Sequence, residues 1–176
     1  MPDEIIDIVD EKGRRLGKSS RSEACKIGLL HPAVNIFVIN SKGQVFLQQR
    51  SAKKSAFPLF WDVSASEHLV SGETFRQAAE RGLSEELSMK ARVRLIRPKH
   101  IQKSEYKKGK EIVKEYELVE LYLANYEGEI NLNKEEVKEG KFVDIKELGK
   151  FSKNNFTPWG LDEIRFLIKN PDLFKY

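Results

Sequence analysis

The chain of 176 residues holds a single cysteine, Cys25. One thiol excludes an internal disulfide framework and any zinc site built from several cysteines, and it suits a reducing compartment. No apolar run approaches the ~20 residues of a membrane-spanning helix. Met1-Pro2-Asp3-Glu4 lacks the basic and apolar pattern of a secretion signal. These absences predict a cytoplasmic protein with no membrane partner. No internal repeat, low-complexity tract or linker interrupts the sequence, so residues 1–176 are expected to form one domain. Neither sign of charge dominates: 31 Lys and Arg stand against 27 Asp and Glu, a net charge of +4. That balance permits an anionic ligand without requiring nucleic acid. With 40% hydrophobic and 33% charged residues the composition is that of a soluble globular protein, not a disordered one.

What is present reads as strands around one central helix. Glu4 to Val9 is a short strand, followed by an Asp10-Glu11-Lys12-Gly13 turn. Val34 to Asn40 and Val45 to Gln49 flank Ser41-Lys42-Gly43 as a hairpin. Trp61 to Ala65 is a further extended run. From Glu73 to Leu87 the period changes: Phe75, Ala78, Ala79, Gly82, Leu83 and Leu87 recur at helical spacing. Two long strands then cover roughly Ala91 to Ile101 and Glu115 to Ala124. Lys141 to Asp144 suggests one more strand, and Pro158 to Lys169 a last helix stopped by Asn170-Pro171. The expected class is mixed α/β, of the α+β kind, with one core.

The chemistry concentrates between Glu67 and Met89. At ~100° per residue, Glu86 falls between Phe75 and Ala79 on the apolar side of the helix, with Glu85 at its edge. A carboxylate in that place must find a cation, because an unpaired buried charge is expensive. Ala78, Ala79 and Gly82 leave room beside it, and Gly72 supplies a tight entry turn. A loop, a helix and converging carboxylates can hold Mg²⁺, which takes oxygen ligands and keeps substrate phosphates. The plain alternative is an acidic helix that pairs with Arg or Lys neighbours.

This stretch resembles the Nudix box: Gly, five residues, Glu, seven residues, Arg-Glu, an aliphatic, any residue, Glu-Glu, any residue, Gly, an aliphatic. Glu73, Arg81, Leu83, Glu85, Glu86 and Met89 fall in register. Glu67 and Ser88 stand where the pattern has Gly, and Gly82 stands where it has the Glu after Arg81. The resemblance implies a Nudix fold, a mixed sheet sandwiched between helices, and cleavage of a small diphosphate compound with Mg²⁺ or Mn²⁺. It implies metal ligation and catalysis by Glu85 and Glu86. Glu73 and Arg81 would support the loop and helix. With Gly82 unable to act as base, Glu117 or Glu115 is expected in that role. The resemblance also allows a homodimer.

The flanks are similar to the isopentenyl-diphosphate isomerase branch of that superfamily. The similarity lies in Leu30-His31, Arg50-Ser51-Ala52-Lys53-Lys54, Pro58, Trp61, Ser66-Glu67-His68, Glu115-Tyr116-Glu117 and Phe156-Thr157-Pro158-Trp159. It implies that His31, His68, Glu115 and Glu117 bind a divalent metal, a donor set that suits Zn²⁺ or Mn²⁺. Ser66 stands where the isomerase has a catalytic Cys, and Ala24 near the place of a further metal-binding His. Three functions are carried forward: a diphosphate hydrolase, an isomerase relative, and a Nudix domain that has lost catalysis and binds nucleotide or protein.

Ten Lys and Arg lie from Lys90 to Lys114, opposed by Glu105 and Glu111. A nucleic-acid surface would interleave aromatics with such a run, and Tyr106 alone does so. The run reads as a solvated hairpin. Arg50 and Lys54 are the expected diphosphate-binding residues. His100 reads as structural, and Trp61 and Trp159 as core aromatics.

Overall fold

The computed structural model describes residues 3–151 and 155–174. Strands β1 (Ile5–Val9) and β2 (Arg15–Ser20) form a small antiparallel pair. A short helix α1 (Arg21–Ile27) follows, capped by Ser20 and ended by Gly28 in the left-handed region. A side chain at Gly28 would be strained by that φ and would press on Tyr116, 3.0 Å from where its Cβ would lie.

The main sheet is built on β3 (His31–Ile39), every residue of which is buried. β8 (Glu111–Asn125) runs parallel to it on one edge. The other edge is shared by β4 (Gln44–Arg50) and β6 (Ala65–His68), both antiparallel. β5 (Trp61–Asp62) and β9 (Val137–Asp144) extend β4, and β7 (Val93–Lys108) pairs with β8 outside. The sheet is therefore mixed and has seven strands.

Alternation along β3 sorts its side chains between two cores. Val34, Ile36 and Val38 pack toward helix α2 (Phe75–Leu87), through Ala78, Ala79, Leu83 and Leu87. Phe37 and Ile39 pack toward α4 (Pro158–Lys169), through Ile164 and Leu167. A four-residue helix, α3 (Leu148–Phe151), adds Leu148 to that second core. The expected single domain, a mixed sheet between helices, is the observed one.

Helix ends follow local chemistry. Thr74 and Gln77 form a reciprocal capping box, so α2 starts at Phe75, not at Glu73. Thr157 caps α4 and Pro158 takes its first position, where a missing N–H costs nothing. Several expectations need correction. β2 and α1 lie in a polar stretch without an apolar period. The run at Trp61 divides into β5 and β6. β7 continues past Ile101 to Lys108, because the register shifts around Arg97 and His100 absorb Pro98.

Asp62 ties β4, β5 and α4 together. Fully buried, it accepts hydrogen bonds from Thr157 Oγ1 (2.8 Å), Trp159 Nε1 (3.0 Å) and Val63 N (2.9 Å), and pairs with Arg50 Nη1 at 3.1 Å. Asp62→Ala would leave the buried Arg50 charge and the Trp159 N–H without their partner. Urea unfolding should show a loss of about 3–5 kcal/mol, well above that of an exposed Asp→Ala control.

Candidate functional site

Arg81 organises the loop that opens α2. Its Nε and Nη2 reach the two oxygens of Glu73, each at 3.0 Å, in a bidentate fork. Nη1 reaches Glu67 Oε2 and Glu85 Oε2, both at 3.1 Å. Nη2 also donates to the His68 carbonyl at 2.8 Å. Glu73 and Arg81 thus join the loop to the helix, and Glu67 is brought to the same cation as Glu85.

Glu86 is 1% exposed. Gln48 Nε2 donates to it at 2.6 Å and the Ser66 backbone N–H at 3.1 Å. Burial, followed by the nearby Glu67 charge, pushes its pKa from 4.5 to about 8. Glu85 sits at the rim, its side chain 55% exposed. Gly82 explains how Glu67 comes to join them. A Cβ at Gly82 would lie 2.6 Å from Glu67 Cγ. Glu67 therefore fills the volume that a Glu at position 82 would need. Two departures from the box pattern, at 67 and 82, are one exchange in space.

A second cluster lies across β3. His31, His68, Glu115 and Glu117 each present a donor atom, all within 4.8 Å of one another. His31 Nδ1 donates to the Leu29 carbonyl at 2.8 Å, which turns Nε2 and its lone pair into the cluster. That Nε2 is buried and has no hydrogen-bond partner. His68 Nε2 lies 2.9 Å from Glu117 Oε1, outside hydrogen-bond geometry. Burial holds the His68 pKa well below 6.5, so the ring is neutral and able to ligate, and burial raises Glu117. Bare imidazole nitrogens beside two carboxylates fit a divalent cation.

Glu115 and Glu117 also line a cleft of about 270 Å³, walled by Gln102, Lys103 and Trp159. The expected phosphate-binding residues carry other partners. Arg50 is 9% exposed, paired with Asp62, bonded to the Ala56 carbonyl and set 5.4 Å from the Trp159 ring. Lys54 pairs with Glu136, and its charge acts on both Glu67 and Glu86.

Glu163 went unnoticed in the sequence. It is fully buried and meets Arg97, His100, Asn35 and Gln102. A signal existed: with Trp159, Ile164 and Leu167 it lies on the apolar face of α4, as Glu86 does on α2. His100, expected to be structural, meets Glu163 Oε1 through Nε2 at 2.9 Å and groups its donor atom with those of Asp162 and Glu163. Gln48, Asn35 and Cys25 gave no sequence signal of what they touch.

The NUDIX domain pattern matches residues 29–161. The chain belongs to the Nudix family. A protein of Photorhabdus laumondii named isopentenyl-diphosphate Delta-isomerase 1 is 33% identical over 95% of this chain and 96% of its own. An uncharacterized Nudix hydrolase of Listeria monocytogenes is 32% identical over 93% of this chain and 94% of its own. A Nostoc Nudix hydrolase, also uncharacterized, is 47% identical over 49% of this chain; the match spans about half, 52%, of that relative. Among solved structures, DR0079 from Deinococcus radiodurans superposes with a TM-score of 0.72 over 94% of this chain and 98% of its own, at 22% identity. That likeness concerns the fold. No described helix of this Nudix protein is long and apolar enough to cross a membrane.

Glu86 gives the metal-free protein a defined pH dependence. Its ordinary pKa is 4.5 and its folded one about 8, so folding favours the protonated form. That stabilisation is complete below 4.5 and is lost as the pH rises through 8. In chelator, the Tm should fall between about pH 5 and pH 8, and Glu86→Gln should flatten the fall. Thermal unfolding followed by circular dichroism measures both.

Proposed function

We propose that this Nudix protein is a phosphohydrolase that cleaves a small diphosphate compound, such as a nucleoside diphosphate derivative, with Mg²⁺ or Mn²⁺ held by Glu85, Glu86 and Glu67. The observation that carries the proposal is the position of Glu67 over Gly82. It returns a third carboxylate to a box that looks deficient when read residue by residue. The donor set is all oxygen, which suits a hard cation. A bound cation there would polarise a phosphoryl oxygen and lower the pKa of a water.

The chain's own groups would then divide the work. Glu86, buried and fixed by Gln48 and Ser66 N–H, holds its carboxylate in one orientation. Glu67, less tied, accepts the proton of the attacking water, in place of the Glu117 or Glu115 expected from the sequence. Arg81 keeps Glu67 and Glu85 together. Lys54 supplies positive charge beside them, available to a phosphate that displaces Glu136.

A second function, isomerisation of an isoprenoid diphosphate, draws support from the His31, His68, Glu115 and Glu117 cluster and from the Photorhabdus relative. Against it, Ser66 stands where a thiol would serve, and its hydroxyl donates to Asn35 Oδ1 at 2.9 Å. A hydroxyl so engaged is a poor proton donor to an alkene.

A ¹H and ³¹P NMR time course with Mg²⁺ or Mn²⁺ separates the two. Nucleoside diphosphate derivatives should lose their P–O–P linkage, and isopentenyl diphosphate should keep its double bond in place. Glu67→Gln should slow cleavage by about 10²–10⁴-fold. Gly82→Glu alone should also fail, because Glu67 occupies the space, whereas Glu67→Gly with Gly82→Glu should recover activity. Double-bond migration with the diphosphate intact would overturn the hydrolase proposal, and so would a double variant as inactive as both singles.

A further inference from the structure

We propose that Asn35 is a positioning residue for the box: through Ser66 it fixes the outer edge of β6, on which Glu86 and Arg81 are seated. This deepens the hydrolase proposal and rests on it only for its kinetic consequence.

β6 has four residues and, among the described strands, pairs with β3 alone. Opposite residues on antiparallel strands alternate between pairs that exchange backbone bonds and pairs that do not. Leu69 N–H donates to the Pro32 carbonyl at 3.1 Å, so that level is bonded. By alternation, Ala33 with His68 and Asn35 with Ser66 are the non-bonded pairs. Their backbone groups on β6 face outward, and both meet the box. Ser66 N–H donates to Glu86 Oε1 at 3.1 Å, and the His68 carbonyl accepts from Arg81 Nη2 at 2.8 Å. Arg81 in turn holds Glu67, Glu73 and Glu85. The carboxylates of the box are therefore placed by the outer edge of one short strand.

At the level of Ser66 a side-chain bond ties that strand to β3 in place of a backbone bond. Ser66 Oγ donates to Asn35 Oδ1 at 2.9 Å. The direction of this bond is forced. Asn35 Nδ2 lies 3.1 Å from Glu163 Oε1 and 3.1 Å from Gln102 Oε1, and a carboxylate that already meets Arg97 can only accept. Nδ2 must point there, Oδ1 must point to Ser66, and the hydroxyl must donate. Glu163 is itself held: Arg97 Nη1 reaches Oε2, and His100 Nε2 and Gln102 Nε2 reach Oε1, each at 2.9 Å. Asn35 is 2% exposed. A buried amide is costly unless its bonds are made, and here they join α4 and β7 to β6. Arg97 and Gln102 also wall the cleft that Glu117 and Trp159 line. Asn35 thus stands between the wall of that cleft and the box.

Hydrogen exchange followed by ¹⁵N NMR on the metal-free full chain reads the Ser66 N–H directly. Asn35→Leu, close in size and without polar atoms, should speed exchange at position 66 by about 10-fold. The amides of Leu121 and Leu123 on β8 should keep their protection. In the cleavage assay the same variant should lose about 10-fold in kcat with little change in KM. Ser66→Ala removes the other partner and should do the same, and the double variant should be no slower than either single. Phe37→Leu, in the core under α4, is the control. It should lower the urea midpoint without singling out position 66 and without changing kcat. If Asn35→Leu does not fold, Ser66→Ala carries both readouts by itself. Unchanged exchange at position 66 overturns the assignment, as does an unchanged kcat or a double variant whose losses multiply. If the unaltered protein cleaves nothing, the hydrolase proposal falls, and exchange at position 66 still decides this one.

Discussion

The register of β3 is the constraint on which the rest depends. Its parallel pairing with β8 sets His31 opposite Glu117, and its antiparallel pairing with β6 sets Ala33 opposite His68. Side chains two apart on a strand share a face, so His31, His68, Glu115 and Glu117 meet on one side of the sheet. The two rings stand 5.2 Å apart. A slip of β3 by one residue would turn His31 to the other face and exchange the strand's buried side chains between the cores under α2 and α4. The hydrophobic requirement of the core therefore enforces the polar geometry of the cluster.

Buried carboxylates sort themselves by what meets them. Asp62 has Arg50, a hydroxyl and an indole, and Glu163 has Arg97, an imidazole and two amides. Both are answered in full, and both join α4 to the sheet. Glu86 is met by an amide and a backbone N–H, with the Glu67 carboxylate close by and no ion pair of its own; the Lys54 charge acts on it while pairing with Glu136. Such an arrangement costs stability when ionised. It is sensible where a cation is to be taken up, which separates Glu86 from two residues of equal burial.

Periodicity revealed α2 and the buried place of Glu86, because one helix carries both signals. The same rule applied to α4 would have found Glu163. Strand alternation placed Glu115 and Glu117 on one face, and pairing then made them meet the histidines. β2 and α1 had no such signal: α1 spans seven residues, too short to hold by propensity, and packs against the sheet. Ser20 and Gly28, its caps, were the only local marks. The exchange between positions 67 and 82 was invisible for another reason. Those residues are far apart in the sequence, and only the folded loop lays Glu67 over Gly82. Cys25, likewise, meets Glu115 only because α1 crosses β8.

The hairpin of β7 and β8 outruns the sheet. β3 covers β8 from Glu117 onward, while six residue pairs, from Lys103 with Tyr116 to Lys108 with Glu111, lie beyond. A two-stranded ribbon of that kind is a ready template for a like ribbon from another molecule. Lys103, Lys107, Lys108, Lys110 and Lys114 outnumber Glu105, Glu111 and Glu115 on the ribbon and leave it net positive, so two copies repel each other as their edges approach. Repulsion of this range fades once the Debye length falls from ~10 Å at 0.1 M salt toward ~3 Å at 1 M. Added salt therefore weakens the charge that keeps two such ribbons apart.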